Sequence, residues 1–162
     1  MNFSTKIISW YHQNYRDLPW RNTNDAYKIW LSEIILQQTR VSQGLPYYIN
    51  FVTTFPTVND LANADEQQVL KLWQGLGYYS RARNLHFTAK LVVENHNGIF
   101  PTSYDELIKL KGIGTYTAAA ISSFSANESV AVVDGNVFRV LSRVFNVNYD
   151  ISLNTTKKYF IE

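Results

Sequence analysis

The sequence predicts an all-α protein, and three observations predict it. Apolar residues recur at three- and four-residue spacing along most of the 162-residue chain. Only one short run, "VAVVD" at 130–134, has the β-branched density of a strand. Two helical stretches are joined at 112–114 by "GIG", with helix rather than strand on both sides.

The elements follow in order. Asn2–Tyr15 carries Phe3, Ile7, Ile8 and Tyr11 in an amphipathic pattern. Asp25 is a candidate cap for a helix over Asp25–Gln38. Val41–Phe55 reads as helix with a break or kink near Pro46. Thr57–Ala64 and Glu66–Gln74 read as two short helices, and Ser80–His96 as a longer one. Ser103 and Glu106 have capping-box spacing ahead of Leu107–Leu110. Thr115–Ser125 follows the glycine turn. The run 130–134 reads as a buried extended link rather than part of a sheet. Asn136–Phe145 is helical, and a further helix begins near Leu153. The final "KKYFIE" is apolar at Tyr159, Phe160 and Ile161 without a cap, which predicts truncation there or a partner covering that end.

Composition narrows the classes. Hydrophobic residues make up 46%, enough for a sizeable core. The net charge of +2 permits a polyanionic partner without demanding one. There are no cysteines, so disulfides, thiolate metal sites and an iron–sulfur cluster held by these residues are excluded. No long apolar run marks a leader or a membrane span, so the expectation is a cytoplasmic protein without a membrane partner. Aromatic residues reach 15% and serve either core packing or base stacking.

The turn Gly112-Ile113-Gly114 raises a choice. A dinucleotide fingerprint needs a third glycine and a preceding strand, whereas Thr117 occupies that place and helix precedes the turn. A helical hairpin remains. Its glycines let another backbone approach, and the amides starting the second helix at Thr115 favour a phosphate, with Lys109 and Lys111 adding charge. Read locally, the same glycines also serve a plain helix–helix connection.

Two carboxylates stand in unlike settings. Glu33 shares its helix face with Ile29 and Leu36, so a raised pKa and a general-acid role are open to it, as is a solvated surface position. Asp134 ends an apolar run and opens a helix, where capping keeps it ionised; a structural cap alone is the other reading. A neutral carboxyl beside a charged one is the division of labour that cleaves glycosidic bonds.

Five blocks, "LPWR" (18–21), "WLSEIILQQTRV" (30–41), "GLGYYSRARNL" (75–85), "LKGIGTYTAAAI" (110–121) and "VDGNVFRVLSR" (133–143), resemble adenine DNA glycosylases of the MutY family, within the helix-hairpin-helix DNA glycosylase superfamily. The resemblance implies a six-helix barrel over 25–130 with its hairpin at 107–125. It implies a partial second lobe from 1–24 and 131–162, whose apolar faces would lack cover and be marginally stable. It implies removal of adenine mispaired with 8-oxoguanine or guanine in double-stranded DNA, by a monomer that flips the base out. By the matched motifs, Glu33 protonates the adenine, Asp134 stabilises the sugar cation, Tyr116 lines the catalytic pocket and Asn136 supports the aspartate and the water. Gln38 and Tyr78 resemble side chains that enter the base stack. Arg21, Leu36 and Thr39 match positions near the 8-oxoguanine. Lys111, Gly112, Gly114 and Thr115 form the DNA-facing hairpin, and Arg81 and Arg83 are candidate phosphate contacts or a solvated helix face.

The sister class, endonuclease III, has a Schiff-base lysine where this chain has Tyr116, and a phenol cannot form an imine. "VDGN" likewise departs from the "VDTH" of that class. A monofunctional hydrolytic enzyme is therefore expected, with a glycosylase-lyase or a DNA-binding fragment without turnover as alternatives. The family's 4Fe-4S loop and C-terminal domain are expected only in a longer protein, and no metal or cofactor is expected in these residues.

Overall fold

The centre of the molecule is the helix α2, Ala26–Ile35, in which only Lys28 and Glu33 escape full burial. A helix apolar on nearly every side belongs inside a core, and "AYKIWLSEII" is such a helix. Asp25 caps it, accepting from the amides of Tyr27 and Lys28. The computed structural model describes residues 2–150 and 153–161. Ahead of α2 come α1, Phe3–Asn14, and a 3-10 turn at Pro19–Arg21.

After it come α3 (Val41–Thr54), α4 (Val58–Asn63), α5 (Glu66–Trp73), α6 (Ser80–His96), α7 (Tyr104–Leu107) and α8 (Thr115–Ala126). α2 packs against α8 and α3, and α6 against α4 and α5. These contacts close a single core containing Trp30, Phe51, Leu61, Trp73, Leu85 and Ile121. Burying each such side chain contributes about 1.5–3 kcal/mol. Trp20 belongs to the same core and stacks edge-on against Tyr48, although it precedes the expected barrel boundary at residue 25.

The chain ends with α9 (Gly135–Phe145) and α10 (Asn154–Ile161). Phe138 of α9 is buried and meets Phe160 of α10. α1 has no buried residue and touches α9 where Phe3 meets Phe145. Between α1 and α9 lies an apolar groove of about 440 Å3, lined by Phe3, Ile7, Ile8, Val137, Val140 and Leu141.

The all-α expectation holds: no strand occurs among the described residues, and 130–133 is an irregular link, but it is half-buried at Val130, Val132 and Val133 and exposed at Ala131 rather than buried. Of the local expectations, a break at Pro46 does not occur, since α3 runs through it as one helix. The proline removes one ladder bond, while the packing of Tyr48 and Phe51 holds the turns beyond it. Ser103 does not form a capping box, because its hydroxyl donates to the Glu106 carboxylate, and Glu128 takes the Tyr104 amide. The capping box is at Thr57 and Asp60. The shorter aspartate there reaches the cap amide as glutamate does in the usual motif.

Candidate active site

Glu33 occupies one of the two gaps in the burial of α2. It makes no hydrogen bond or ion pair among the described residues, and burial raises its pKa above the ordinary 4.5, opposed by the charge of Arg21. The cause is desolvation, which disfavours the charged form. Arg21 is held over the ring of Phe124, 4.4 Å from its centroid.

Asp134 is the opposite case. As the N-cap of α9 it accepts from the amides of Asn136 and Val137, both at 2.9 Å, and from the Asn136 side chain at 3.1 Å. These donors, the Val137 amide foremost, hold its pKa below the usual carboxylate value. Asn136 is itself fixed by a hydrogen bond from Arg139. The caps and the helix dipole act only on a carboxylate that stays charged.

The two carboxyls line one cleft of about 600 Å3. Arg21, Leu36, Gln38, Tyr116 and Asn136 line it too, so the structure gathers seven of the sequence candidates around one space. Tyr116, half exposed in the first turn of α8, has its pKa raised by burial and by both carboxylates, so the phenol stays neutral. The same cleft is bounded by Arg16, Leu18, Trp20, Gln37, Val41 and Thr117. None of these stood out in the sequence. Arg16, a cation just ahead of "LPWR", is the one that a charge reading could have found.

The hairpin candidates lie apart from the cleft. Gly112 has φ +79°, and a Cβ there would meet Asn84 Cβ at 3.3 Å, so glycine is required by the turn itself. At Gly114 a Cβ would meet nothing within 4 Å. Gly114 caps α8 without a side-chain bond, so no capping side chain takes the first amides of the helix, beginning at exposed Thr115. Thr88 donates to the Lys111 carbonyl at 2.7 Å and ties the turn to α6, while the Lys111 ammonium sits 4.6 Å from the Phe87 ring centroid.

Gln38 and Tyr78 are both exposed, and both have positive φ, 55° and 48°. Among the described residues the other three non-glycine positions with positive φ are asparagines at helix C-caps, Asn97, Asn127 and Asn146, where the conformation is ordinary. For Gln and Tyr it costs about 1–3 kcal/mol each, a strain that functional positions retain. Thr39 is half-buried, and its hydroxyl donates to the Gln37 carbonyl.

Arg81 is a correction. Its guanidinium donates to the carbonyls of Ile34, Ile35 and Gln37 on one side and Leu76 and Gly77 on the other. The remaining Nε is buried without a partner, so this guanidinium is engaged with backbone and does not lie on a solvated helix face. Arg83 is exposed and lies 3.6 Å from Glu66, a surface pair of little strength. Among the described residues, no three His, Cys, Asp or Glu come together to hold a metal, and the iron–sulfur cluster that the resemblance attaches to longer proteins has no thiolate ligand in this chain. No helix among the described residues is long and apolar enough to cross a membrane.

The fold and cleft define a helix-hairpin-helix protein that sets a carboxyl whose pKa burial raises against one whose pKa amide donors lower. Residues 31–160 match the family described as HhH-GPD superfamily base excision DNA repair protein, and the chain belongs to it. It is 48% identical over 147 residues to an adenine DNA glycosylase of Buchnera aphidicola subsp. Baizongia pistaciae, covering 90% of this chain and 42% of that protein. It is 44% identical over 159 residues to the adenine DNA glycosylase of Homo sapiens, covering 93% of this chain and 29% of that one. The chain thus spans well under half the length of these relatives. A thermostable thymine-DNA glycosylase superposes with a TM-score of 0.89 at 29% identity, covering 98% of this chain and 73% of that one. An endonuclease III in a DNA complex shares the fold, with a TM-score of 0.75 at 19% identity, covering 100% of this chain and 79% of that one.

Proposed function

We propose that this chain carries the catalytic site of a monofunctional adenine DNA glycosylase, acting on adenine opposite 8-oxoguanine or guanine in double-stranded DNA. The observation that supports it best is the pairing of a carboxyl raised by burial with a carboxylate lowered by amide donors in one cleft. Relatives named adenine DNA glycosylase, up to 48% identical over 90% of the chain, support the choice of base.

In this reading the base leaves the stack and enters the cleft. Glu33 gives its proton to a ring nitrogen of the adenine, which makes the base a better leaving group. As the bond to the sugar carbon breaks, the charge of Asp134 stabilises the oxocarbenium-like cation. Water adds to that carbon, and its proton returns to Glu33. Asn136 keeps Asp134 oriented, and Tyr116 borders the base as a neutral phenol. Gln38 and Tyr78 fill the space the base vacates. The open amides of the hairpin take a DNA phosphate, with Lys111 beside them and Gly114 allowing close approach. Arg21, Leu36 and Thr39 lie toward the opposing base.

Single-turnover incubation with a duplex holding one adenine opposite 8-oxoguanine tests this. Strand scission only after alkali is expected, with Glu33→Gln slowing it about 10²–10⁴-fold. Scission without alkali would point to a lyase, and absence of scission despite salt-sensitive binding would reduce the chain to a DNA-binding unit.

A further inference from the structure

We infer that Arg81 is a positioning residue: its guanidinium clasps the peptide groups immediately before Gln38 and Tyr78 and holds the two base-stack residues as one unit. The inference rests on the reading of those two side chains as base-stack wedges.

The clasp is two-sided. On one side Nη1 donates to Gln37 O at 2.5 Å, Ile34 O at 3.1 Å and Ile35 O at 3.3 Å. These are carbonyls at and just past the C-terminal end of α2, where the negative end of the helix dipole lies; Ile34 O also accepts from the Gln37 amide and Gln37 O from the Thr39 hydroxyl. On the other side Nη2 donates to Leu76 O and Gly77 O, both at 3.4 Å. Gly77 O also accepts from the Trp73 indole at 2.9 Å. The guanidinium lies 5.1 Å from the Trp73 ring centroid and 5.7 Å from that of Tyr78.

The carbonyls of Gln37 and Gly77 belong to the peptide planes that carry the amides of Gln38 and Tyr78. Fixing those planes fixes the backbone that enters the two positive-φ residues. No carboxylate pairs with Arg81 among the described residues, so its charge is spent on backbone carbonyls. Two segments some 40 residues apart in sequence are thereby joined through one planar, five-donor group. Lysine keeps the charge but cannot span both sides, because its ammonium is a single compact point.

The test is Arg81→Lys, read in two ways. In the free protein, amide hydrogen exchange is expected to accelerate together in 36–39 and 76–79, with α6 and α8 unchanged. In complex with a duplex carrying 2-aminopurine beside the adenine, unstacking fluorescence is expected to fall about tenfold in equilibrium, the size of one lost charge-assisted hydrogen bond. In a Gln38→Ala, Tyr78→Ala background, Arg81→Lys is expected to add no further loss, since residues acting through one another are not additive. Acceleration in one segment alone, undiminished unstacking, or an equal loss in the background lacking both wedges would overturn the clasp. Should Arg81→Lys melt too early to handle, adding Gln38→Gly and Tyr78→Gly carries the same question. Glycine accepts positive φ without strain, so recovery of the melting point supports the clasp and no recovery overturns it. A wild-type protein that binds duplex but unstacks no base would sink the wedge reading alone, because the exchange experiment is independent of DNA.

Discussion

The molecule has two regions of very different density. Around α2, Phe51 and Trp73 are fully buried, and aromatic side chains interlock from several helices. Across α1 and α9, Ile8 is 56% exposed and Val144 50%, and an open apolar groove separates the helices. The two candidate carboxyls are divided between these regions. Glu33 owes its raised pKa to the whole barrel packed around it. Asp134 owes its lowered one to amides of its own helix and a neighbouring side chain. A raised carboxyl pKa here therefore needs the packed fold, whereas the lowered one needs only a helix terminus in place.

The sharpest way to break that contrast is a pair of core and surface substitutions. Phe51→Ala should cost about 3–5 kcal/mol, read as a lowered denaturant midpoint, because it opens a cavity where nothing can collapse. Asp134→Ala should cost about 1 kcal/mol at neutral pH through loss of the cap. Its folded pKa is lowered, so the stabilisation is present above the ordinary 3.8 and is lost as pH falls through the folded value. The gap between wild type and Asp134→Ala in thermal melts should close in acid. Glu33→Gln should have the opposite sign. A raised folded pKa makes the wild type most stable in acid, and that stability is lost as pH rises from 4.5 through the folded value. Glu33→Gln should therefore melt higher than wild type at neutral pH and lose that advantage in acid. Smallest of all, Ile8→Ser on α1 should stay within about 0.5 kcal/mol. A loss there as large as at Phe51 would show that the two regions share one core.

Much of this was legible in the sequence, where the residue type and its local position carry the physics. Asp134 at a helix start was legible as a cap, while Glu33 among isoleucines was legible as either a buried or a solvated carboxyl, and the packed fold decides for burial. The hairpin is equally local, since Gly112 answers a backbone angle. Arg81 was not legible, because its partners are main-chain carbonyls of five residues whose side chains leave no trace of the contact. Trp20 was placed ahead of the barrel for a similar reason: its packing partner Tyr48 lies 28 positions on. Ser103 failed because Glu106 and Glu128 compete for the groups a capping box would use. Competition of that kind is settled by tertiary contacts and has no sequence spacing of its own.

The placement of the tryptophans has an optical consequence. Trp20, Trp30 and Trp73 lie in the barrel core, while Trp10 on α1 is 60% exposed. Iodide should quench Trp10 selectively and leave a blue-shifted emission from the other three. Trp10→Phe should then leave a protein whose emission follows the barrel alone. Comparing the two by rapid mixing into urea would time the release of α1 against the opening of the core, with no added dye.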